Sequence, residues 1–191
     1  AWAPGGAITH NIAVGDLDGD GLADVAIDPG HYGVGAPGEQ YVVFGKTSGW
    51  QADLHCPTDV DASVYNANYN GSTDISTRGY LGDFDGDGID DWLTAGPVLF
   101  GGEAHVISGV DVTSQDLPLP DSARAWVTGG LADVTFWPFG DVNGDGLSEL
   151  AATQGFMGER AFLVFGRDTG FPHGDGVLQV ADVTFISPTF D

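Results

Sequence analysis

Three copies of one acidic, glycine-rich loop organise this chain. GDLDGDGLAD (Gly15–Asp24) recurs as GDFDGDGIDD (Gly82–Asp91) and as GDVNGDGLSE (Gly140–Glu149). Repetition of this kind constrains a fold strongly, because each repeat must be one structural unit that buries its apolar face against its neighbours. The loops open at Asp16, Asp83 and Asp141, a nearly even spacing. A short apolar run precedes each loop (NIAVGD, GYLGD, FWPFGD) and another follows it (DVAID, DWLTA, ELAAT). A third run closes on glycine: YVVFG (Tyr41–Gly45), AHVISG (Ala104–Gly109) and AFLVFG (Ala161–Gly166). Such runs, β-branched and aromatic and bounded by Gly, Pro and Asp, are short strands, and no window carries helical periodicity. The chain is therefore expected to be all-β, with about four short antiparallel strands per repeat, the size of a propeller blade.

The spacing also predicts how the repeats are cut. Lys46–Asp83 and Val110–Asp141 each run from just after a closing glycine to the next opening aspartate. The tail after Gly166 and the head Ala1–Asp16 are each shorter than that, but joined end to end they approach one such segment. A single repeat domain over 1–191 is expected, with blades at about 1–50, 51–110 and 111–175. Residues 176–191 (with VLQVADVTFISPTF) would complete a blade of a neighbouring chain, or the first blade.

Numbered from the first aspartate, each loop carries side-chain oxygens at positions 1, 3, 5 and 9. They are Asp16, Asp18, Asp20 and Asp24; Asp83, Asp85, Asp87 and Asp91; and Asp141, Asn143, Asp145 and Glu149. Position 6 is Gly21, Gly88 or Gly146, where a sharp turn needs a residue without a side chain. Position 7 (Leu22, Ile89, Leu147) offers a backbone carbonyl and is expected to turn its side chain into the core. Hard oxygen ligands in this number on a flexible loop suit Ca²⁺, giving three expected sites. Mg²⁺ demands a tighter octahedron, and zinc or copper would want the His or Cys that the loops lack. Position 12 is Ile27, Thr94 or Ala152 rather than the acid an EF-hand needs. Dockerin loops share GDVNGDG but sit on helices at a shorter period.

Composition agrees with a cation-loaded protein. Acids outnumber Lys plus Arg by 28 to 5, for a net charge of −23, which excludes nucleic acid, anionic membrane surfaces and acidic substrates as partners. The acids are nearly all aspartate, with glutamate only at Glu39, Glu103, Glu149 and Glu159, a bias towards turns and ligands over helices. Cys56 is the one cysteine, so no internal disulfide can form. No run approaches the roughly 18 apolar residues of a membrane span, so no membrane insertion is expected. The opening AWAPGG is compatible with the mature end of a secreted chain.

These loops, with Phe44–Gly45, Phe165–Gly166 and the Gly96–Pro97 pair after Ala95, resemble the FG-GAP family, the integrin-α-type β-propeller repeat, over essentially the whole chain. The "GAP" element is looser at Asp28–Gly30 and Thr153–Gly155, and repeat 2 carries Ile107-Ser108-Gly109 where the family has Phe-Gly. The resemblance implies four-stranded blades, one Ca²⁺ between the first two strands of each, and an extracellular or cell-surface setting. Three blades cannot close a ring of ordinary geometry and leave an unpaired edge. Two chains would close a six-bladed ring by exchanging terminal strands, or chains would add head to tail into a fibre, or the chain is a piece of a longer propeller. Strand donation by Val177–Phe190 into a neighbour's first blade is the expected device.

The expected function is an extracellular calcium-binding structural or adhesive module that self-assembles, with a glycan or an extracellular protein as possible ligand. A propeller-type lectin is the alternative. It would draw on Trp2, Trp50, Trp92, Trp126 and Trp137 and on YNANYNGS (Tyr65–Ser72), although Trp92 and Trp137, on strands beside the loops, are expected in the core. No enzyme is expected. His10, His31, His55, His105 and His173 take unrelated positions in the repeats, and no Gly-x-Ser-x-Gly, HExxH or P-loop is present. Asn70-Gly71-Ser72 is a glycosylation sequon.

Overall fold

A computed structural model describes residues 11–28, 39–67, 76–96, 102–112, 116–129, 134–154 and 160–187. The first repeat gives β1 (Ile12–Gly15), β2 (Asp24–Ile27), β3 (Glu39–Val43) and β4 (Ala62–Asn66). The second gives β5 (Ser76–Gly82), β6 (Asp91–Ala95), β7 (Glu103–Ile107), β8 (Asp116–Leu119) and β9 (Ala125–Thr128). The third gives β10 (Val134–Gly140), β11 (Glu149–Gln154), β12 (Arg160–Val164), β13 (His173–Gly176), the single helical turn α1 (Val177–Val180) and β14 (Val183–Ile186). Among the described residues the protein is all-β apart from that turn and a 3₁₀ turn at Gly109–Asp111.

Three sheets result, none closed on itself: β1-β2-β3-β4-β8, β5-β6-β7-β9-β13 and β10-β11-β12-β14. Within each, four strands of one repeat pair antiparallel, the first three in chain order and the fourth after a longer connection. The fifth strand comes from the following repeat and is parallel. β8 lies on β4 with Leu117 opposite Val64, and β13 lies on β9 with Asp175 opposite Val127. The connection leading to the last strand of a repeat thus reaches back to the sheet before it.

The sheets stack through their first strands, β5 lying between β1 and β10. Ala13, Ala26, Val42 and Val64 of the first sheet meet Trp92, Ile107, Leu117 and Leu119. On the opposite face of the second sheet, Leu93, Val106 and Val127 meet Phe136, Leu150, Phe162 and Val164. A middle sheet covered on both faces is why all of β6 is buried. Trp92 and Leu93 point opposite ways, are both fully buried, and contribute roughly 1.5–3 kcal/mol each. Gln40 Nε2 donates to Thr94 Oγ1 at 2.8 Å within the first interface.

Two expectations change here. The repeats run 12–66, 76–128 and 134–186 rather than breaking at 50, 110 and 175. Residues 183–186 lie in the third sheet, with Ile186 opposite Arg160 and Val183 opposite Leu163, rather than completing the first blade. The cause is the long connection between the closing glycine and the fourth strand: Lys46–Asp61, Val110–Arg124 and Arg167–Asp182. It hides ASVYN and AWVT from a count of three runs per repeat, and it makes VTFI look like a strand for another blade. Among the described residues no helix is long and apolar enough to cross a membrane.

Candidate metal centre

Each acidic loop joins the first two strands of a sheet, and register fixes its ends: Gly15 lies opposite Asp24, Gly82 opposite Asp91 and Gly140 opposite Glu149. Between them the backbone is wound by its own carboxylates. Position 3 accepts the N–H of position 5: Asp20 to Asp18 and Asp87 to Asp85, both at 3.1 Å, and Asp145 to Asn143 at 2.8 Å. Position 5 accepts the N–H of position 7, from Leu22, Ile89 and Leu147, at 2.7–2.9 Å. Position 1 accepts from the glycine at position 6, at 2.8–3.0 Å. The winding requires φ of +73° to +97° at positions 4 and 6 in all three loops, which glycine adopts without strain.

Position 9 joins the loop to the rest of its sheet. Asp24 Oδ2 accepts Leu17 N–H at 2.7 Å, and its Oδ1 accepts Gly45 N–H at 2.7 Å. Asp91 does the same with Phe84 at 2.8 Å and Gly109 at 3.2 Å. Glu149 accepts from Val142. The closing glycines must lie close to make this contact. A Cβ on Gly45 would stand 2.7 Å from Ala23 O, and one on Gly166 would stand 2.6 Å from Ser148 O.

Carboxylates converge in every loop. Asp16, Asp18 and Asp24, then Asp83, Asp85 and Asp91, then Asp141, Asp145 and Glu149 each bring ligand oxygens within 4.8 Å of one another. Each loop also contains a buried carboxylate oxygen without a hydrogen-bond donor: Asp16 Oδ1, Asp85 Oδ2 and Glu149 Oε1. Asp85 Oδ2 has Arg124 Nε at 2.8 Å, an ion pair out of line for a hydrogen bond. Burial first, and repulsion by neighbouring acids as well, push Asp24, Asp85 and Glu149 above the usual carboxylate range. Burial also pushes the Asp91 carboxyl up to about 7, with Asp85 and Asp87 repelling it further. Without a cation the loops hold charge at a cost. A divalent ion would relieve both causes, and hard oxygens in this number fit Ca²⁺.

Asp20 and Asp87 lie outside the converging groups; each uses an oxygen to hold the position 7 N–H, and Asp87 Oδ2 also accepts from Ser108 Oγ at 3.1 Å. Asn143 donates through Nδ2 to Asp145 Oδ2 at 2.8 Å. Leu22, Ile89 and Leu147 are only half-buried, a correction to their expected place in the core. Position 2 takes that role, with Leu17 and Phe84 fully buried between sheets. Val142, the same position in the third loop, is exposed. Position 2 was visible in the sequence as the apolar residue after each first aspartate; Arg124 carried no such signal. Trp92 is core as expected, whereas Trp137 is half-exposed on the outer face of the third sheet. Trp126 stacks on buried His105, whose imidazole burial pushes down to about 4. Asn70 lies outside the described residues.

Comparison with protein-family models finds no match to this chain, and comparison with curated proteins finds none either.

Proposed function

We propose that this protein is a calcium-stabilised structural module of the FG-GAP propeller type, acting outside the cell in adhesion or assembly rather than in catalysis. The observation that carries the proposal is a buried carboxylate oxygen without a hydrogen-bond donor in each of the three loops: Asp16 Oδ1, Glu149 Oε1 and Asp85 Oδ2, the last with the Arg124 ion pair beside it. Groups left without a donor in this way are costly unless a ligand completes them. The holding residues would be Asp16, Asp18 and Asp24; Asp83, Asp85 and Asp91; and Asp141, Asp145 and Glu149, with Asn143 beside them. When bound, the ion supplies positive charge, six units over three sites against a net −23. The chain's own residues do the rest. Position 9 carries the effect to the closing strand through Gly45 and Gly109, and Leu17 and Phe84 carry it into the two cores between sheets.

Extracellular calcium is plentiful enough to fill weak sites, and a net charge this negative keeps such a module soluble. The test is calorimetric titration of the chelator-stripped protein with CaCl₂, alongside thermal melts in EDTA and in calcium. Three bound equivalents and a melting temperature that climbs with log calcium are expected. A melt unmoved by either reagent would sink the proposal.

A further inference from the structure

We infer that a second copy of this chain docks on the outer face and edge of the third sheet, placing its residues Asp53–Cys56 parallel to β14. The inference rests on the stacked-sheet, propeller-type reading above but not on calcium. It comes from an interface that the molecule already makes twice.

Between the first and second sheets, and between the second and third, the same elements recur. A position 2 side chain, Leu17 or Phe84, is buried between the sheets. A strand of the later repeat, β8 or β13, adds parallel to the last strand of the earlier one. The third sheet presents the same elements uncovered. Val142 at position 2 is 49% exposed, and β14 has no parallel strand on it among the described residues. Its outer face is an apolar groove of about 210 Å³, with Trp137, Phe139, Ala161, Leu163 and Phe185 in its lining. Trp137, Phe139 and Phe185 are each about half-exposed, whereas Val64 and Val127, which stand where Phe185 does in the first and second sheets, are buried.

The missing half of the interface lies in the first repeat. Asp53-Leu54-His55-Cys56-Pro57 corresponds residue for residue to Asp116-Leu117-Pro118-Leu119-Pro120, which contains β8. The turns that follow match as well: Asp59 N–H donates to His55 O at 2.8 Å, as Ser122 N–H does to Pro118 O at 2.9 Å. Yet Leu117 and Leu119 are buried against the preceding sheet, whereas Asp53 and His55 are exposed and Leu54 and Cys56 only half-buried. Among the described residues there is thus one stitching segment without a sheet and one sheet without a stitching segment.

The two are complementary in detail. β14 aligns with β4 through their shared pairing to the third strand, so Thr184 stands where Ser63 does and Phe185 where Val64 does. The β8 register then places Asp53 on Thr184, Leu54 on Phe185 and His55 on Ile186. Ser63 Oγ donates to Asp116 Oδ1 at 2.7 Å, and Thr184 offers Asp53 the same hydroxyl. Opposite ends of the molecule meet, so the contact is heterologous, adding chains head to tail.

The test is sedimentation velocity at saturating calcium over a wide protein concentration range, with the parent protein, Leu54→Asp and Phe185→Asp. The parent should associate as concentration rises. Each variant buries a charge in the contact and should raise the dissociation constant by at least about tenfold while keeping the parent's circular dichroism. The decisive arm mixes the two variants. Leu54→Asp retains an intact acceptor and Phe185→Asp an intact donor, so the mixture should form a 1:1 complex that neither forms alone. A parent that remains monomeric throughout, association indifferent to both substitutions, or a mixture that stays monomeric would overturn the inference. Because every arm is run in calcium and the calcium response is read on the monomeric variants, failure here is separable from failure of the calcium proposal.

Discussion

Gly109 donates its backbone N–H to Asp91 Oδ1 across 3.2 Å, tying the end of β7 to a carboxylate that is itself fully buried. One acid thus closes the loop and anchors the neighbouring strand of the sheet. Asp91→Asn removes the charge and puts an amide donor where an acceptor is needed. The variant should bind two calcium ions instead of three by calorimetry and lose about 2–4 kcal/mol of calcium-loaded stability in urea melts.

The same carboxyl sets a pH dependence whose sign reverses with calcium. In the stripped protein native Asp91 holds its proton up to about 7, while the unfolded carboxyl releases it near the ordinary ~3.9. Between those values the native state binds more protons than the unfolded one, so stability falls as pH rises from about 4 to about 7. Asp24, Asp85 and Glu149, raised by the same burial, add to the slope. Saturating calcium favours the ionised forms, so the melting temperature should then rise over the same range. Melts at several pH values in EDTA and in calcium check both slopes.

Gly45→Ala should be destabilising by roughly 1–3 kcal/mol, because the new methyl would stand 2.7 Å from Ala23 O and 2.8 Å from Leu22 Cβ. The loss should persist in EDTA, since it comes from crowding rather than from a lost ligand. Urea unfolding in both conditions measures it.

Position 2 offers an internal comparison. Leu17→Ala empties a fully buried site and should cost about 2–5 kcal/mol. Val142→Ala removes a half-exposed side chain and should cost under about 1 kcal/mol in dilute solution. Chemical denaturation of the two variants at low protein concentration tests the difference.

Much of this architecture was legible in the residues. The spacing of the converging carboxylates, the glycine at position 6 and the two strands flanking each loop all follow from local rules that act over a short span of chain. What escaped was non-local. The strands β4, β9 and β14 lie beyond long connections, and β8 and β13 are defined only by the neighbouring sheet on which they lie. Asp-Leu-Pro-Leu and His-Gly-Asp-Gly share no pattern that marks both as strands. At the loops, sequence could not separate Asp18, which converges with Asp16 and Asp24, from Asp20, which turns to the Leu22 N–H. Nor could it tell that Trp137 faces outward while Trp92 is enclosed: Trp92 lies opposite Tyr80 on the face toward the first sheet, and Trp137 opposite Ala151 on the outer face of the third.

The backward reach of β8 and β13 bears on how such a chain can lengthen or shorten. Each lends a strand to its predecessor, so removing the last repeat would strip His173–Gly176 from β9 as well as taking away its own sheet. Duplicating a whole repeat injures neither side, because the newcomer lends one strand and borrows another. Arrays of this kind can gain or drop members in the middle, where lender and borrower change together, and are exposed at the far end, a polarity written into the hydrogen-bonding pattern itself.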